Sequence, residues 1–271
     1  MSRTLRVSVR NAKFQQWETL LRNRTKRHRA GSFLVQGVRP ISLAVEHGWS
    51  VEALLYDADR RQLSDWARGL LERPHIEQAA VSSELMAELG EKDEQAPELI
   101  AQVRIPQRRL ADLSMRDDWL GIVIDRPTSP GNVGSLIRSA DAFGADAVVI
   151  TGRNAADPYD PKAVRASTGS LFAMPVVSAA SAHEVVEWAR KQPHAPVIVG
   201  TDERGEQMLS EHDLRGPTLL VIGNETTGMS KSWFELADAT ARIPMSPKAA
   251  SSLNAANAGS VALYEAARQR A

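Results

Sequence analysis

Short, wholly apolar runs alternate with segments of helical periodicity in the second half of the chain. Leu120–Ile124, Ala147–Ile150, Val197–Gly200 and Thr218–Ile222 are runs typical of buried strands. Residues 134–143, between the first two runs, follow a helical pattern. Strands that alternate with helices predict an α/β fold built on a sheet with parallel strands.

The first half of the chain repeats this alternation on a smaller scale. Phe14, Trp17, Leu20 and Leu21 are spaced as on one face of a helix. Further strands are predicted at 51–56, near 76 and at 99–103, and further helices at 40–46, 60–71 and 83–89. This half is therefore predicted to be a small α/β domain with a parallel or mixed sheet.

Residues 104–118 are polar and charged and include Pro106, a composition typical of a linker. A chain of 271 residues has room for two domains of ordinary size. We predict a domain at 1–105, a linker at 106–118 and a second domain at 119–271.

Charge is balanced over the whole chain but not along it. The 33 basic residues equal the 33 acidic ones, yet residues 1–30 contain nine Lys or Arg, including Arg3, and the single acid Glu18. Such a cluster is the electrostatic signature of a phosphate-binding surface. We expect residues 22–30 to form a basic loop that contacts nucleic acid; a solvated basic tail with no partner is the alternative.

Several function classes are disfavoured by what the sequence lacks. No run approaches the roughly 20 apolar residues of a membrane span, the first 30 residues do not resemble a secretion signal, and cysteine is absent, so we expect a cytoplasmic protein. The six histidines are scattered without metal-ligand spacing, and we predict no metal site. Neither a dinucleotide-binding glycine motif nor a serine-hydrolase elbow is present.

Residues 132–144 carry polar groups where a strand gives way to a helix. Because ligands bind at the carboxyl ends of parallel strands, Arg138, expected about one turn into the helix, would point a cation toward a site there. Asn132 is expected to cap the helix. The alternative is structural: Asn132 only caps, and Arg138 only pairs with Asp141 at i and i+3.

Two later segments, 223–228 and 243–254, add further polar residues at the ends of strands. Residues 223–228 resemble half of a P-loop, but Met229 replaces the lysine and Glu225 would repel phosphate. This loop is instead suited to bring backbone groups close to a flat ring such as adenine, with Glu225 facing a cation or a hydroxyl; a plain glycine-rich turn is the alternative. Pro244 ends a strand, and Ser252 is expected to cap the last helix, which by itself is an ordinary capped helix.

Taken in order, the three segments resemble the SpoU or TrmH branch of the SPOUT methyltransferases, which methylate ribose 2'-hydroxyls of RNA. Residues 33–39, Phe-Leu-Val-Gln-Gly-Val-Arg, resemble the start of the L30e-like RNA-binding domain that precedes the catalytic domain in many members. Residues 162–170 match another segment of the family. The resemblance implies a SPOUT domain with a carboxyl-terminal trefoil knot, S-adenosylmethionine as cofactor, and a homodimer.

The resemblance also implies roles for particular residues. The expected catalytic set is Arg138, Asn132, Glu225, Ser252 and Asn254, with Arg138 assigned to the ribose 2'-hydroxyl. The expected cofactor-binding set is Thr201, Gly223, Asn224, Ile243, Pro244 and Leu253. The expected RNA-binding set is Arg22, Arg24, Lys26, Arg27, Arg29, Arg39 and Arg165. One departure is the stretch between Met245 and Ser252, which is slightly longer than the usual form of the family.

Residues 11–17 and 125–132 are most similar to actinomycete 23S rRNA 2'-O-methyltransferases that confer resistance to ribosome-targeting antibiotics. We therefore expect 23S rRNA as substrate. A tRNA substrate, and an RNA-binding module on the same fold that performs no chemistry, are the alternatives. The expected reaction is in-line attack of a ribose 2'-oxygen on a sulfonium methyl group, which needs positioning more than a metal. Because a guanidinium stays protonated, Arg138 is expected chiefly to stabilise the developing alkoxide.

Overall fold

The computed structural model describes residues 4–91, 96–246 and 252–271. It divides into two compact units. The first contains residues 1–106 together with the short segment 159–161, and the second contains residues 107–158 and 162–271. The described helices include none long and apolar enough to cross a membrane.

The first unit is a five-stranded mixed sheet covered by helices. Its strands are β1 (Leu5–Val7), β2 (Ser32–Gln36), β3 (Val51–Asp57), β4 (Glu77–Val81) and β5 (Leu99–Arg104), in the order β1-β4-β3-β5-β2. Its helices are α1 (Ala12–Arg22), α2 (Arg24–Ala30), α3 (Val38–Glu46), α4 (Asp65–Leu71) and α5 (Ser83–Gly90). Strand β4 is parallel to β1 and β3, while β5 is antiparallel to β2 and β3. The predicted small α/β domain with a mixed sheet is confirmed.

The segment 22–30, predicted as a basic loop, is instead largely helical, because α2 spans Arg24–Ala30. Asn23 ends α1 and caps α2, because its side chain accepts a hydrogen bond from the Lys26 amide at 3.0 Å. Arg27 of α2 is only 2% exposed. Its guanidinium donates to the Leu20 and Leu21 carbonyls at 3.0 and 2.9 Å, so it satisfies orphan carbonyls at the end of α1. Arg27 therefore stabilises the fold and is not a phosphate contact.

The second unit is a seven-stranded parallel sheet. Its strands are β6 (Leu120–Asp125), β7 (Ala147–Thr151), β8 (Val176–Ala179), β9 (Val197–Thr201), β10 (Gln207–Met208), β11 (Thr218–Ile222) and β12 (Ala239–Arg242), in the order β10-β12-β9-β11-β6-β7-β8. Its helices are α6 (Pro130–Ala142), α7 (Pro161–Ser167, which belongs to this unit from Lys162 onward), α8 (Ser170–Ala173), α9 (Ala182–Arg190), α10 (Lys231–Leu236) and α11 (Ala255–Arg270). All strand pairs are parallel, as predicted. The trefoil knot stays a prediction.

Residues 107–118, expected to be a linker, belong to the second unit in the structure. Leu110 is 7% exposed and is part of the core that contains Trp119 and Trp233. Leu113 and Met115 pack against the same core. The sequence of this segment is mostly polar because only these few apolar side chains pack into the core of the second unit.

Two helices begin at other residues than predicted, because other side chains cap them. Ser129 caps α6 and Pro130 is its first residue, so Asn132 lies in the first turn and Arg138 in the third. Asn254 caps α11 by accepting hydrogen bonds from the amides of residues 256 and 257 at 2.9 and 3.3 Å. The predicted caps, Asn132 and Ser252, are therefore wrong.

Gly134 sets the packing of α6 on α7. A Cβ added at Gly134 would overlap the Ala163 carbonyl oxygen and lie 2.8 Å from the Ala166 Cβ. We expect Gly134→Ala to destabilise the protein by about 1–3 kcal/mol, because overpacking outweighs the helix-propensity gain of about 1 kcal/mol. The urea midpoint of unfolding measures this change.

Gly131→Ala is the matched control for Gly134→Ala. Its added Cβ would meet only the Ser129 Oγ at 3.6 Å, an ordinary contact. Its midpoint should equal or exceed that of the wild type, because the helix-propensity gain acts there without an overpacking cost. Equal midpoints for the two variants would contradict the close packing at Gly134.

Candidate active site

The loops that follow β6, β9, β11 and β12 lie at the carboxyl edge of the parallel sheet, where α/β sheets bind ligands. A cavity of about 320 Å³ opens there within the second unit. The predicted site residues that line it are Thr201, Gly223, Asn224, Glu225, Ile243, Ser252 and Leu253. Pro244, Asn132, Asn254 and Arg138 are not among the described residues that line the cavity.

The loop 223–228 is closed by its own backbone. Asn224 and Gly228 exchange two amide-to-carbonyl hydrogen bonds of 3.0 Å each, and Gly228 has a φ of +66°. The Asn224 side chain also accepts the amides of Thr226 and Thr227 at 2.9 and 3.0 Å. A side chain at Gly223 would overlap the backbone of Gly228. The two glycines therefore allow the tight closure that exposes this backbone to the cavity.

Glu225 joins this loop to the beginning of α6. Its carboxylate accepts hydrogen bonds from the amides of Thr128 and Ser129 at 3.0 and 3.1 Å, from the Thr128 hydroxyl at 3.0 Å, and from the Asn132 amide group at 3.0 Å. Partial burial acts to raise the pKa of Glu225, but these hydrogen bonds outweigh it and the pKa lies below the usual value. A carboxylate so well supplied with donors is a positioning group and a poor general base.

Asn132 also forms a hydrogen bond with the segment 243–254. Its Oδ1 accepts a hydrogen bond of 3.3 Å from the Asn254 side chain, while its Nδ2 donates to Glu225. The chain Glu225–Asn132–Asn254 thus links three segments that are far apart in sequence. The predicted convergence of the three segments at one place is confirmed for these residues.

Arg138 lies apart from this network. Its side chain is exposed on the third turn of α6, six residues beyond Asn132. Within the described ranges it makes no hydrogen bond or ion pair, and so it does not form the alternative pair with Asp141. The guanidinium is free to meet a group from outside this unit.

A buried carboxylate that was not predicted from the sequence, Asp125, supports the same loop. Asp125, 3% exposed at the end of β6, accepts hydrogen bonds from the Thr151 hydroxyl at 3.0 Å, the Ser230 amide at 2.8 Å and the Arg126 side chain at 3.1 Å. Arg126 in turn donates to the Gly228 carbonyl at 3.0 Å. The sequence feature that could have revealed this residue is an acidic side chain directly after the apolar run 120–124.

The basic residues predicted to contact RNA are mostly exposed. Arg22, Arg24, Lys26, Arg29 and Arg39 are exposed in the first unit, and Arg165 is exposed in the second. Arg22 forms an ion pair of 3.5 Å with Glu18. Arg3, and residues 247–251 of the stretch whose length departs from the family, lie outside the described residues.

Two family profiles match this sequence. The profile described as "SpoU L30e-like domain" matches residues 11–101, and the profile described as "SpoU rRNA Methylase family" matches residues 120–264. The second match alone spans more than half of the chain. The chain belongs to the SpoU rRNA methylase family. The resemblance noted from the sequence, and the L30e-like character of the first unit, are confirmed.

Curated SpoU relatives extend over nearly all of the chain. The 23S rRNA (uridine(2479)-2'-O)-methyltransferase of Streptomyces viridochromogenes is 56% identical over 268 residues, which cover 98% of this chain and 92% of the relative. The 23S rRNA (guanosine-2'-O-)-methyltransferase RlmB of Pseudomonas syringae pv. tomato is 30% identical over 239 residues, which cover 82% of this chain and 93% of the relative.

Solved SpoU structures have the same fold. AviRb of Streptomyces viridochromogenes in complex with AdoMet (S-adenosylmethionine) is 56% identical, with a TM-score of 0.91 over 96% of this chain and 98% of that one. The AdoMet-bound rRNA methyltransferase of Sinorhizobium meliloti is 27% identical, with a TM-score of 0.86 over 98% of each chain. The α/β fold is therefore shared with enzymes that bind this methyl donor.

Proposed function

We propose that this chain uses S-adenosylmethionine to methylate a ribose 2'-hydroxyl of 23S rRNA. The observation that carries the proposal is the hydrogen-bonded chain Glu225–Asn132–Asn254, which joins three separate segments next to a cavity that Glu225 lines. The relative with 56% identity, which acts on a uridine of 23S rRNA, supports a uridine as the target. A ribosomal substrate also implies that the protein works in the cytoplasm.

The residues of the cavity suit this cofactor. Leu253 and Met245, 40% and 38% exposed, provide apolar surface for an adenine ring, and the backbone of 223–228 provides amide and carbonyl groups. Asp202, Glu203 and Glu225 line the same cavity together with one cation, Arg204, which pairs with Asp202 at 3.6 Å, so the charge of the lining is net negative. Carboxylates favour a cationic sulfonium, whereas they would disfavour a phosphate-bearing cofactor. We assign Thr201, Gly223, Asn224, Ile243 and Leu253 to cofactor binding, with Pro244 next to them in sequence.

The chemistry follows from positioning and charge. When bound, S-adenosylmethionine supplies an electrophilic methyl group on a good leaving group. Glu225, Asn132 and Asn254 hold the loops that orient the two reactants, and Ser252 contributes a hydroxyl at the cavity. Arg138 stabilises negative charge on the ribose 2'-oxygen as the hydroxyl proton passes to water.

Arg138 does not line the cavity of its own chain. We propose that it acts instead at the cavity of a second copy in a homodimer. Helix α11 packs beside α6, as the 2.7 Å hydrogen bond between Ser139 and Ser260 shows. On α11, Val261 and Tyr264 are 41% and 54% exposed. We propose that a second copy covers these apolar side chains. Light scattering should give a dimer mass for the wild type and a monomer mass for Val261→Asp combined with Tyr264→Glu.

The experiment that tests the proposed function supplies tritiated S-adenosylmethionine with purified 23S rRNA or with tRNA. Incorporation into 23S rRNA alone is expected. Incorporation into tRNA alone would favour the tRNA alternative, and binding without incorporation would favour the non-catalytic RNA-binding module. The predicted antibiotic resistance is tested separately, by growth of a sensitive host that expresses the protein.

Asp125→Asn should weaken S-adenosylmethionine binding by about tenfold, a cost of roughly 1.4 kcal/mol that is typical of losing a buried charged acceptor. The NH2 group of asparagine cannot accept a hydrogen bond from the Arg126 side chain or the Ser230 amide, so the loop 223–230 would be held less rigidly. Isothermal calorimetry measures the affinity. Asp141→Asn, at an exposed position on α6, is the matched control and should bind normally. Unchanged affinity in Asp125→Asn would contradict this positioning role.

A further inference from the structure

We propose that a second cavity, within the first unit, binds a single unstacked nucleotide of the RNA substrate. The cavity measures about 510 Å³ and lies between α1, α2 and β5. This volume is within the range of about 300–1,000 Å³ that is usual for small-ligand sites. The inference rests on the proposed function, because it assigns the cavity to the same RNA.

The turn between α1 and α2 creates this cavity. Asn23 has extended backbone angles, φ −129° and ψ 106°, and so separates two helices that would otherwise be continuous. Its side chain caps α2, and the buried Arg27 holds α2 against the end of α1. The cavity wall is therefore fixed by hydrogen bonds and does not depend on a bound ligand.

The charge of the cavity selects an anion. Lys13, Lys26 and Arg29 line it, and no Asp or Glu does so among the residues described for this unit. Lys26 and Arg29 are exposed and, within the same residues, form no ion pair. They lie three residues apart in α2, and therefore on one face of the helix. Lys13 is placed over the Trp17 ring, 5.6 Å from its centroid. Three cations so close together suit the phosphates on either side of one nucleotide.

Amide side chains supply groups that can bind a base edge. The Gln102 amide is already engaged, because it accepts a hydrogen bond from the Trp17 indole at 3.1 Å and donates one to Glu52 at 2.9 Å, so the groups for a base edge come from the exposed Gln15 and Gln16. Gln16 lines the same cavity with an exposed side chain. Trp17 itself is only 1% exposed and cannot stack on a base. Hydrogen bonds to the edge of an unpaired base, together with phosphate contacts, are therefore the recognition mode that this cavity offers.

The test combines Lys26→Glu with Arg29→Glu and compares the double variant with Arg61→Glu combined with Arg73→Glu. The control makes the same charge change at two exposed arginines of the same unit that do not line the cavity. For the cavity variant we expect the KM for 23S rRNA to rise about tenfold, with kcat and S-adenosylmethionine affinity unchanged. The salt dependence of RNA binding should become shallower by about 1.4 in log–log slope, the value for two lost single-strand phosphate contacts.

Gln16→Ala provides a second variant without a charge change, and it should raise the KM for the natural RNA without changing the salt slope. Circular dichroism checks that each variant is folded. If the cavity variants and the control change KM and slope equally, the nucleotide site is overturned while the methyltransferase proposal stands. If the wild type methylates no RNA, the proposed function fails, and direct RNA binding by the same variants still decides the cavity. A wild type that binds no RNA overturns both.

Discussion

Replacing Arg138 by alanine should lower the rate of methyl transfer at least about a hundredfold while S-adenosylmethionine still binds, the size of effect usual for one lost charge-stabilising donor. The expectation follows from the position of the side chain, which is exposed, is unpaired among the described residues and does not line the cavity proposed for the cofactor. Single-turnover transfer to 23S rRNA measures the rate, and calorimetry measures the cofactor affinity.

Two further variants define what Arg138 does. Asp141→Ala should transfer methyl groups normally, because Asp141 forms no ion pair with Arg138 in the described structure. Arg138→Lys should recover part of the rate, since a cation is restored without the planar guanidinium. If Arg138 acts across a dimer, mixing Arg138→Ala with a cofactor-site variant should restore some activity. Loss of cofactor binding in Arg138→Ala would instead make the residue structural.

Glu225→Gln should weaken S-adenosylmethionine binding more than tenfold and lower stability by about 1–3 kcal/mol. The carboxylate accepts from two backbone amides, a hydroxyl and the Asn132 side chain, and glutamine would present an NH2 group to at least one of these donors. Calorimetry and the urea midpoint measure the two effects. Glu206→Gln makes the same charge change at an exposed position and should alter neither.

The same carboxylate predicts how stability depends on pH. Because the pKa of Glu225 is lowered in the folded protein, its contribution to stability is complete above the unfolded pKa of about 4.3 and is lost as the pH falls through the lowered folded value. The wild type should therefore lose more stability on acidification than Glu225→Gln. Parallel acid titrations of the two proteins would contradict this linkage.

The sequence predicted the strands far better than the helix ends. Strand β11 was predicted at its observed limits, Thr218–Ile222, because a run of buried apolar residues is unambiguous at that length. Helix α6 was predicted to begin at 134, four residues too late, since Ser129 and not Asn132 is the cap. Helix α2 was missed because its arginine-rich sequence has no apolar periodicity and its stability comes from the Asn23 cap and the buried Arg27.

The sequence predicted that the loop 223–228 and the residues Ile243, Ser252 and Leu253 lie at one place, as they do around the cavity, but the contacts of the polar side chains depend on residues distant in sequence. Glu225 was expected to face a cation or a hydroxyl, and the structure shows that its partners lie 93–97 residues away, at the beginning of α6. Asp125 was missed because its function depends on Thr151 and Ser230, which only the parallel sheet brings beside it. Local patterns indicate where a loop is, whereas donors from other segments decide what its side chains do.

Ribose methylation is measured directly with S-adenosylmethionine that carries a deuterated methyl group and intact 23S rRNA, followed by nuclease digestion and mass spectrometry of the nucleosides. We expect the label on the ribose of a single kind of nucleoside, a uridine, at one position of the RNA. Label on a base, or no label in RNA when the cofactor is bound, would contradict it.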